Sequence, residues 1–112
     1  MEIFFANARL AKACNQERDG DRRWGRPVAQ HVRRRLNELA AADTLADMGH
    51  LPPARCHQLI GDHAGQFAVD AGPRFRVVFE PSHDPLPRRS DGGIDLVRVT
   101  AIVILAVEDY HD

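Results

Sequence analysis

The residues best suited to chemistry stand at the end of the chain, where Asp109, Tyr110 and His111 are adjacent. A carboxylate, a phenol and an imidazole can accept, donate or hold a proton, and an aromatic ring can stack on a nucleobase. They follow the longest apolar run in the sequence, which includes 102–107 and predicts a buried strand. A strand can deliver polar groups rigidly to a site. The alternative is a solvated, frayed terminus.

Three further places combine charged groups with aromatic or imidazole groups. They are Arg55-Cys56-His57, Asp62-His63 and Arg74-Phe75-Arg76. Alternation of Phe75, Val77 and Phe79 with polar residues predicts a half-buried strand that carries Arg76 on its other face. Because neighbouring segments predict an antiparallel meander, these groups could converge on one sheet face.

Such side chains suit the cleavage of an RNA phosphodiester. The 2′-hydroxyl must lose a proton as it attacks phosphorus, the leaving 5′-oxygen must gain one, and negative charge builds on the phosphate. Imidazole or carboxylate can act as base, a second imidazole as acid, arginine can stabilise charge, and tyrosine can hold a base. The sequence has no glycine-rich phosphate loop, serine nucleophile elbow or CxxC pair.

Structural interpretations stay open for the same residues. His57 could simply be hydrogen-bonded at a sheet edge, and Arg76 could pair with Asp70 or Glu80 across strands. The imidazole and carboxylate groups could instead ligate a metal, although their spacing matches no dedicated site.

Fourteen of the fifteen basic residues are arginines. Arginine suits phosphate contacts, but a codon bias gives the same composition. The candidates for RNA contact are Arg22, Arg23, Arg26, Arg33, Arg34, His63 and Arg74. The helical arginines could equally form a solvated face, and His63 a solvated turn. A pI near 6.6 argues against a sequence-blind DNA binder.

The order of the predicted elements, a strand and two helices followed by a run of strands, predicts one α+β domain spanning residues 1–112. The first predicted helix has Asn7 as its N-cap and ends near Ala13. The second covers 27–42 and is followed by a short helical turn over 43–48. Residues 15–25 are expected to form a polar loop, and 81–93 a long exposed one. The predicted strands cover 2–5, 55–60, 66–70, 75–80 and part of 94–108.

The sequence predicts a cytoplasmic protein. No stretch is long enough to span a membrane, no basic segment precedes the first apolar run, and two cysteines make no disulfide framework.

Taken in order, several segments resemble toxins of the HigB type, in the RelE/ParE-like superfamily of type II toxin–antitoxin systems. The matching segments are Arg35-Leu36-Asn37-Glu38-Leu39, Leu45-Ala46-Asp47-Met48, Arg55 to Asp62, Phe75-Arg76-Val77-Val78-Phe79 and Asp109-Tyr110-His111. Each is weak alone, but together they cover nearly the whole chain.

The resemblance implies a RelE/ParE-like α+β fold, with an N-terminal strand and two helices packed on a curved antiparallel sheet. It also implies ribosome-dependent cleavage of messenger RNA without a metal or other cofactor. It implies catalytic roles for His57, Arg76, Asp109, Tyr110 and His111. It also implies a helix-turn-helix antitoxin of the HigA type as partner.

Two features depart from the resemblance. His63 stands where relatives often have arginine, and the net charge is slightly acidic. Two rival functions therefore stay open: a ParE-type toxin that binds gyrase, and an inactive module that binds an antitoxin.

Overall fold

The computed structural model describes residues 1–110, and His111 lies outside the described residues. Eight helices and strands form its frame, in the order β1 (Glu2–Phe5), α1 (Ala8–Asn15), α2 (Glu17–Trp24), α3 (Arg26–Ala41), β2 (His57–Gln58), β3 (Phe67–Asp70), β4 (Phe75–Pro81) and β5 (Ala101–Asp109). Four short 3-10 helices lie between them, at Leu45–His50, Pro52–Ala54, Gly61–His63 and Leu96–Arg98.

The five strands form one sheet in the order β1-β5-β4-β3-β2. Strands β2 to β5 pair antiparallel as the predicted meander, whereas β1 pairs with β5 in parallel. The α+β class is thus confirmed, but the sheet is mixed rather than wholly antiparallel. β5 lies between β1 and β4, and the register slips by one residue between Val78 and Phe79.

The helices cover one face of this sheet, which we call the inner face. Helix α3 follows the predicted apolar stripe, and Val32, Leu36 and Leu39 are buried against the sheet. Helix α1 begins as predicted at Asn7, whose side chain accepts a hydrogen bond from the Leu10 amide at 2.8 Å.

The prediction of a loop over 15–25 is wrong, because these residues contain helix α2. Its sequence is almost entirely polar, so no apolar periodicity marks it as a helix. The helix is instead stabilised by packing. Trp24 packs against the main core, and Gly20 lies so close to α1 that a Cβ there would be 2.6 Å from the Ala13 carbonyl oxygen.

Other boundaries also differ from the prediction. Strand β2 is only two residues long, because the chain first turns through Arg55 in a left-handed conformation with φ of 46°. The last strand begins at Ala101, after a 3-10 helix. Loop 81–93 is less exposed than expected, since Pro81 belongs to β4 and a bridge joins Arg88 to Ile94.

Candidate active site

The opposite face of the sheet, which we call the outer face, carries a row of charged residues near the end of β5. Asp70 pairs in register with Arg76, and Arg76 pairs with Glu108. Their neighbours Val69, Val77 and Val107 pack into the main core on the inner face. Since side chains alternate along a strand, the three charged residues point away from the helices.

Tyr110 lies at the end of this row. Its backbone N–H donates to the Arg74 carbonyl at 2.7 Å, so strand pairing continues one residue past β5. Its hydroxyl donates to Asp70 Oδ1 at 2.7 Å and accepts from Arg55 Nη2 at 2.9 Å. Through Tyr110 the terminal segment is therefore held on the sheet, and the interpretation as a frayed tail does not apply there.

Arg76 covers the ring of Tyr110, with its guanidinium carbon 4.9 Å from the ring centroid. This is a cation–π contact, which fixes the plane of the ring. Arg76 also pairs with Glu108, with Nη2 and Nε at 2.6 and 2.7 Å from Oε1. The predicted cross-strand ion pair exists, but its partner is Glu108 rather than Asp70 or Glu80.

Arg55 and Asp70 complete what we call the Tyr110 cluster, namely Arg55, Asp70, Arg76, Glu108 and Tyr110. Arg55 donates from Nε to Asp70 Oδ2 at 2.7 Å and from Nη2 to Asp70 Oδ1 at 3.0 Å. The two-point contact matches a planar guanidinium to a carboxylate. It depends on the left-handed backbone at Arg55.

The charges of this cluster stabilise one another. Burial alone would raise the pKa of Asp70, but hydrogen bonds from Arg55 and Tyr110 and the positive charge of Arg55 hold that pKa below its ordinary value. The bonds to Asp70 and Tyr110 raise the pKa of Arg55. The carboxylate is therefore ionised at neutral pH.

His57 lies on β2, opposite Ala68 in the register, and therefore on the outer face. Its Nδ1 lies 2.8 Å from the carbonyl oxygen of Arg55. A carbonyl can only accept, so Nδ1 carries the proton and Nε2 is the basic nitrogen of the neutral ring. Within residues 1–110, no hydrogen bond occupies Nε2.

Asp109 is separated from Tyr110 by the alternation of the strand. It pairs in register with Phe75, which packs against the main core, so it faces the other side of the sheet. Its carboxylate lies 3.2 Å from Arg74 Nη2, and both side chains are largely exposed. The structure therefore places His57, Arg76 and Tyr110 on one face of the sheet, and Asp109 on the other, beside Arg74.

The remaining predicted RNA contacts lie away from the Tyr110 cluster. Arg33 is engaged with Asp21 and Glu17, at 3.6 and 4.0 Å, whereas Arg26 and Arg34 are exposed on α3. His63 is exposed in a 3-10 helix beside Gln66.

Arg22 and Arg23 lie beside Arg9 and Lys12, which were not predicted to contact RNA. Together with Arg9 and Lys12 they line a cleft of about 410 Å³ between α1 and α2. This basic cleft belongs to the helical layer, and the sheet separates that layer from the outer face. Within residues 1–110, no three His, Cys, Asp or Glu side chains are grouped to hold a metal ion.

Three site residues were missed by sequence reasoning: Arg55, Asp70 and Glu108. Arg55 lies two residues before His57, in a segment already singled out, which was a usable signal. Asp70 was considered only as a partner for Arg76, whereas it binds Arg55 and Tyr110. Glu108 could be selected only from the strand register, which places it opposite Arg76.

These features define an α+β protein with a helical layer on one face of a mixed sheet and a charged aromatic cluster on the other. Among solved structures, the chain is similar to one described as a YoeB/ParE toxin from Agrobacterium tumefaciens, with a TM-score of 0.53. The similarity covers 99% of this chain and 100% of that one, at 11% sequence identity. The chain thus has the fold of a RelE/ParE-type toxin. Neither a protein-family model nor a curated protein sequence matches it.

Proposed function

We propose that this protein is the toxin of a type II toxin–antitoxin system and that it cleaves messenger RNA on the ribosome. The fold supports a toxin of this superfamily, and the HigB-like segments favour an endoribonuclease. The observation that carries the proposal is the outer face of the sheet, where Arg76 covers the Tyr110 ring at 4.9 Å and His57 lies on the same face. None of these three residues is fully buried. An unstacked RNA strand can reach such a surface.

The groups of the outer face fit the steps of 2′-hydroxyl attack. His57 Nε2 takes the proton of the 2′-hydroxyl while its Nδ1–H stays fixed on the Arg55 carbonyl. Arg76 stabilises the charge that develops on the phosphate, and Tyr110 holds the substrate. The leaving 5′-oxygen takes a proton, and the products are a 2′,3′-cyclic phosphate and a 5′-hydroxyl.

His111 is the proposed group for protonating the 5′-oxygen, and it lies outside the described residues. His57 fits the role of base better than Asp109, because Asp109 faces the other side of the sheet. No step of this scheme uses a metal or a cofactor.

The proposed partners follow from the same assignment. A helix-turn-helix antitoxin of the HigA type neutralises the toxin, and the complex forms in the cytoplasm. Ribosomal and messenger RNA contact Arg74 and His63 and the exposed arginines of α2 and α3. Among residues 1–110, no helix is long and apolar enough to cross a membrane.

The proposal is tested by mapping messenger RNA 5′ ends after brief induction. We expect new 5′ ends inside translated reading frames with the wild-type protein. Arg76→Ala should lower cleavage by about 100-fold or more, because a preorganised charge stabiliser is lost. Arg98→Ala is the matched control, since Arg98 is an exposed arginine that is paired with Asp95 at 3.0 Å and also donates to the Arg88 carbonyl, and neither partner belongs to the cluster.

Two results would contradict the proposal. Intact messenger RNA together with a DNA-damage response would indicate a gyrase-binding toxin. Tight co-purification with the neighbouring antitoxin, without growth arrest on expression, would indicate an inactive binding module.

A further inference from the structure

Arg35 is the one buried charged residue among residues 1–110, with 6% of its surface exposed. It lies on α3, directly after two arginines that are more accessible to solvent. A buried guanidinium is costly unless its donors are satisfied. Here the donors are used in three directions: Nη1 reaches Glu38 Oε1 at 3.0 Å, and the other two reach backbone carbonyls.

The two carbonyls belong to the segments that hold Tyr110. Arg35 Nε donates to the backbone carbonyl oxygen of Asp70 at 2.7 Å, and Nη2 donates to the backbone carbonyl oxygen of Pro53 at 3.0 Å. Asp70 ends β3, and Pro53 lies in the 3-10 helix that Arg55 follows. One guanidinium therefore joins the backbones that carry the two partners of the Tyr110 hydroxyl.

The geometry points to Arg35 as a positioning residue for the Tyr110 cluster. Its side chain donates no hydrogen bond to the side chains of the cluster, yet it fixes the distance between the backbone at Asp70 and the turn before Arg55. Through Glu38 and its own position on α3, it also ties the outer-face site to the helical layer. As a catalytic claim this inference rests on the proposed function, whereas the positioning itself does not.

The test uses the fact that Tyr110 is the only tyrosine in the chain and Trp24 the only tryptophan. Protein labelled with ¹³C in the tyrosine ring gives one set of ring resonances, which reports the environment of Tyr110 alone. Trp24 fluorescence reports whether a variant is folded. Cleavage of messenger RNA on programmed ribosomes reports activity.

We expect Arg35→Lys to fold, because an ammonium keeps the charge near Glu38. The ammonium cannot, however, reach three separate acceptors as a planar guanidinium does. The Tyr110 resonances should therefore move toward those of Arg55→Ala, which lacks the guanidinium that donates to the Tyr110 hydroxyl. Cleavage should fall by about 100-fold, as expected when a positioning contact is lost. Arg89→Lys is the matched control, because Arg89 is an exposed arginine paired with Asp91 at 3.2 Å and has no proposed contact with RNA; it should change neither reading.

A folded Arg35→Lys protein with unchanged Tyr110 resonances overturns the inference. If Arg35→Lys does not fold, Glu38→Ala takes its place, since it releases only Nη1. We then expect a smaller shift in the same direction, and an unchanged spectrum again overturns the inference. If wild-type protein cleaves no RNA, the proposed function fails, while the resonances still decide whether Arg35 positions Tyr110.

Discussion

The ion pair between Arg55 and Asp70 is stronger than a typical surface pair because its geometry is fixed at both ends. Arg55 is about half exposed, but Asp70 is largely covered and also accepts from Tyr110. Exposed pairs contribute little because water and salt screen them. Two-point contact and a third hydrogen bond make the carboxylate of Asp70 the electrostatic centre of the cluster.

Asp70→Asn should lower the free energy of unfolding at pH 7 by about 1 kcal/mol, since a charged acceptor is lost beside a partly exposed partner. The pKa of Asp70 is lowered in the folded state, so its contribution is fully present above the unfolded pKa of about 4. It is lost as the pH falls through the folded pKa. Urea unfolding measured from pH 7 to pH 2 checks this.

Asp62→Asn is the matched control for that titration, because Asp62 is exposed in the 3-10 helix Gly61–His63. Its difference from wild type should be small at all pH values. A difference between Asp70→Asn and wild type that persists unchanged to pH 2 would contradict the role given to the carboxylate.

At the residue scale, the sequence indicated the types of groups but not their partners. Arg76 on the outer face follows from the alternation along β4 and was predictable. The contact of Arg55 with Asp70 was not, because it depends on a left-handed backbone at a non-glycine residue. The split between Asp109 and Tyr110 agrees with simple strand alternation.

Among the elements, α2 shows how a helix can form without an apolar stripe. Its buried residue is Gly20, and the absence of a side chain there lets α1 and α2 approach closely. Glycine normally weakens a helix by about 1 kcal/mol relative to alanine. Close packing therefore offsets an unfavourable propensity.

Gly20→Ala should destabilise the protein even though alanine favours helix. A Cβ at this position would be 2.6 Å from the Ala13 carbonyl oxygen, which is backbone and cannot move aside without moving α1. We expect the free energy of unfolding to fall by about 1 to 3 kcal/mol. Chemical denaturation followed by Trp24 fluorescence measures the change.

Gly49→Ala is the matched control, because a Cβ there meets nothing within 4 Å. It should leave stability unchanged or raise it by up to about 1 kcal/mol. A stabilised Gly20→Ala protein would show that α1 and α2 are less closely packed than described.

Prediction succeeded for elements with a strong period and failed where packing decides. Helix α3 carries an apolar stripe over four turns and was predicted to within one residue at each end. Helix α2 has almost no apolar residues. Strand β2 was predicted too long, since a run of β-prone residues cannot reveal that Arg55 turns out of the sheet.

Across the whole molecule, β5 is the element on which the sheet depends. It pairs with the first strand on one side and with β4 on the other, and its residues Ile102 and Ile104 are fully buried. The same strand ends beside Tyr110. The central core and the outer-face site are therefore built on one element.

Ile104→Ala should lower the free energy of unfolding by about 2 to 5 kcal/mol, because it opens a cavity at the centre of the sheet. Ile60→Ala removes the same atoms from a side chain that is 87% exposed, and should change stability by no more than about 0.5 kcal/mol. Thermal unfolding of both variants makes the comparison. Equal losses would contradict the central position of β5.

The place of β5 also determines when the outer-face site can form. During synthesis, β1 emerges early but has no partner until residues 101–104 have been translated. Until then the hairpin of β3 and β4 has an unpaired edge, and Arg76 has neither Glu108 nor Tyr110 to contact. A growing chain therefore carries no assembled outer-face site. The outer-face site can therefore assemble only after the chain has been translated through Tyr110.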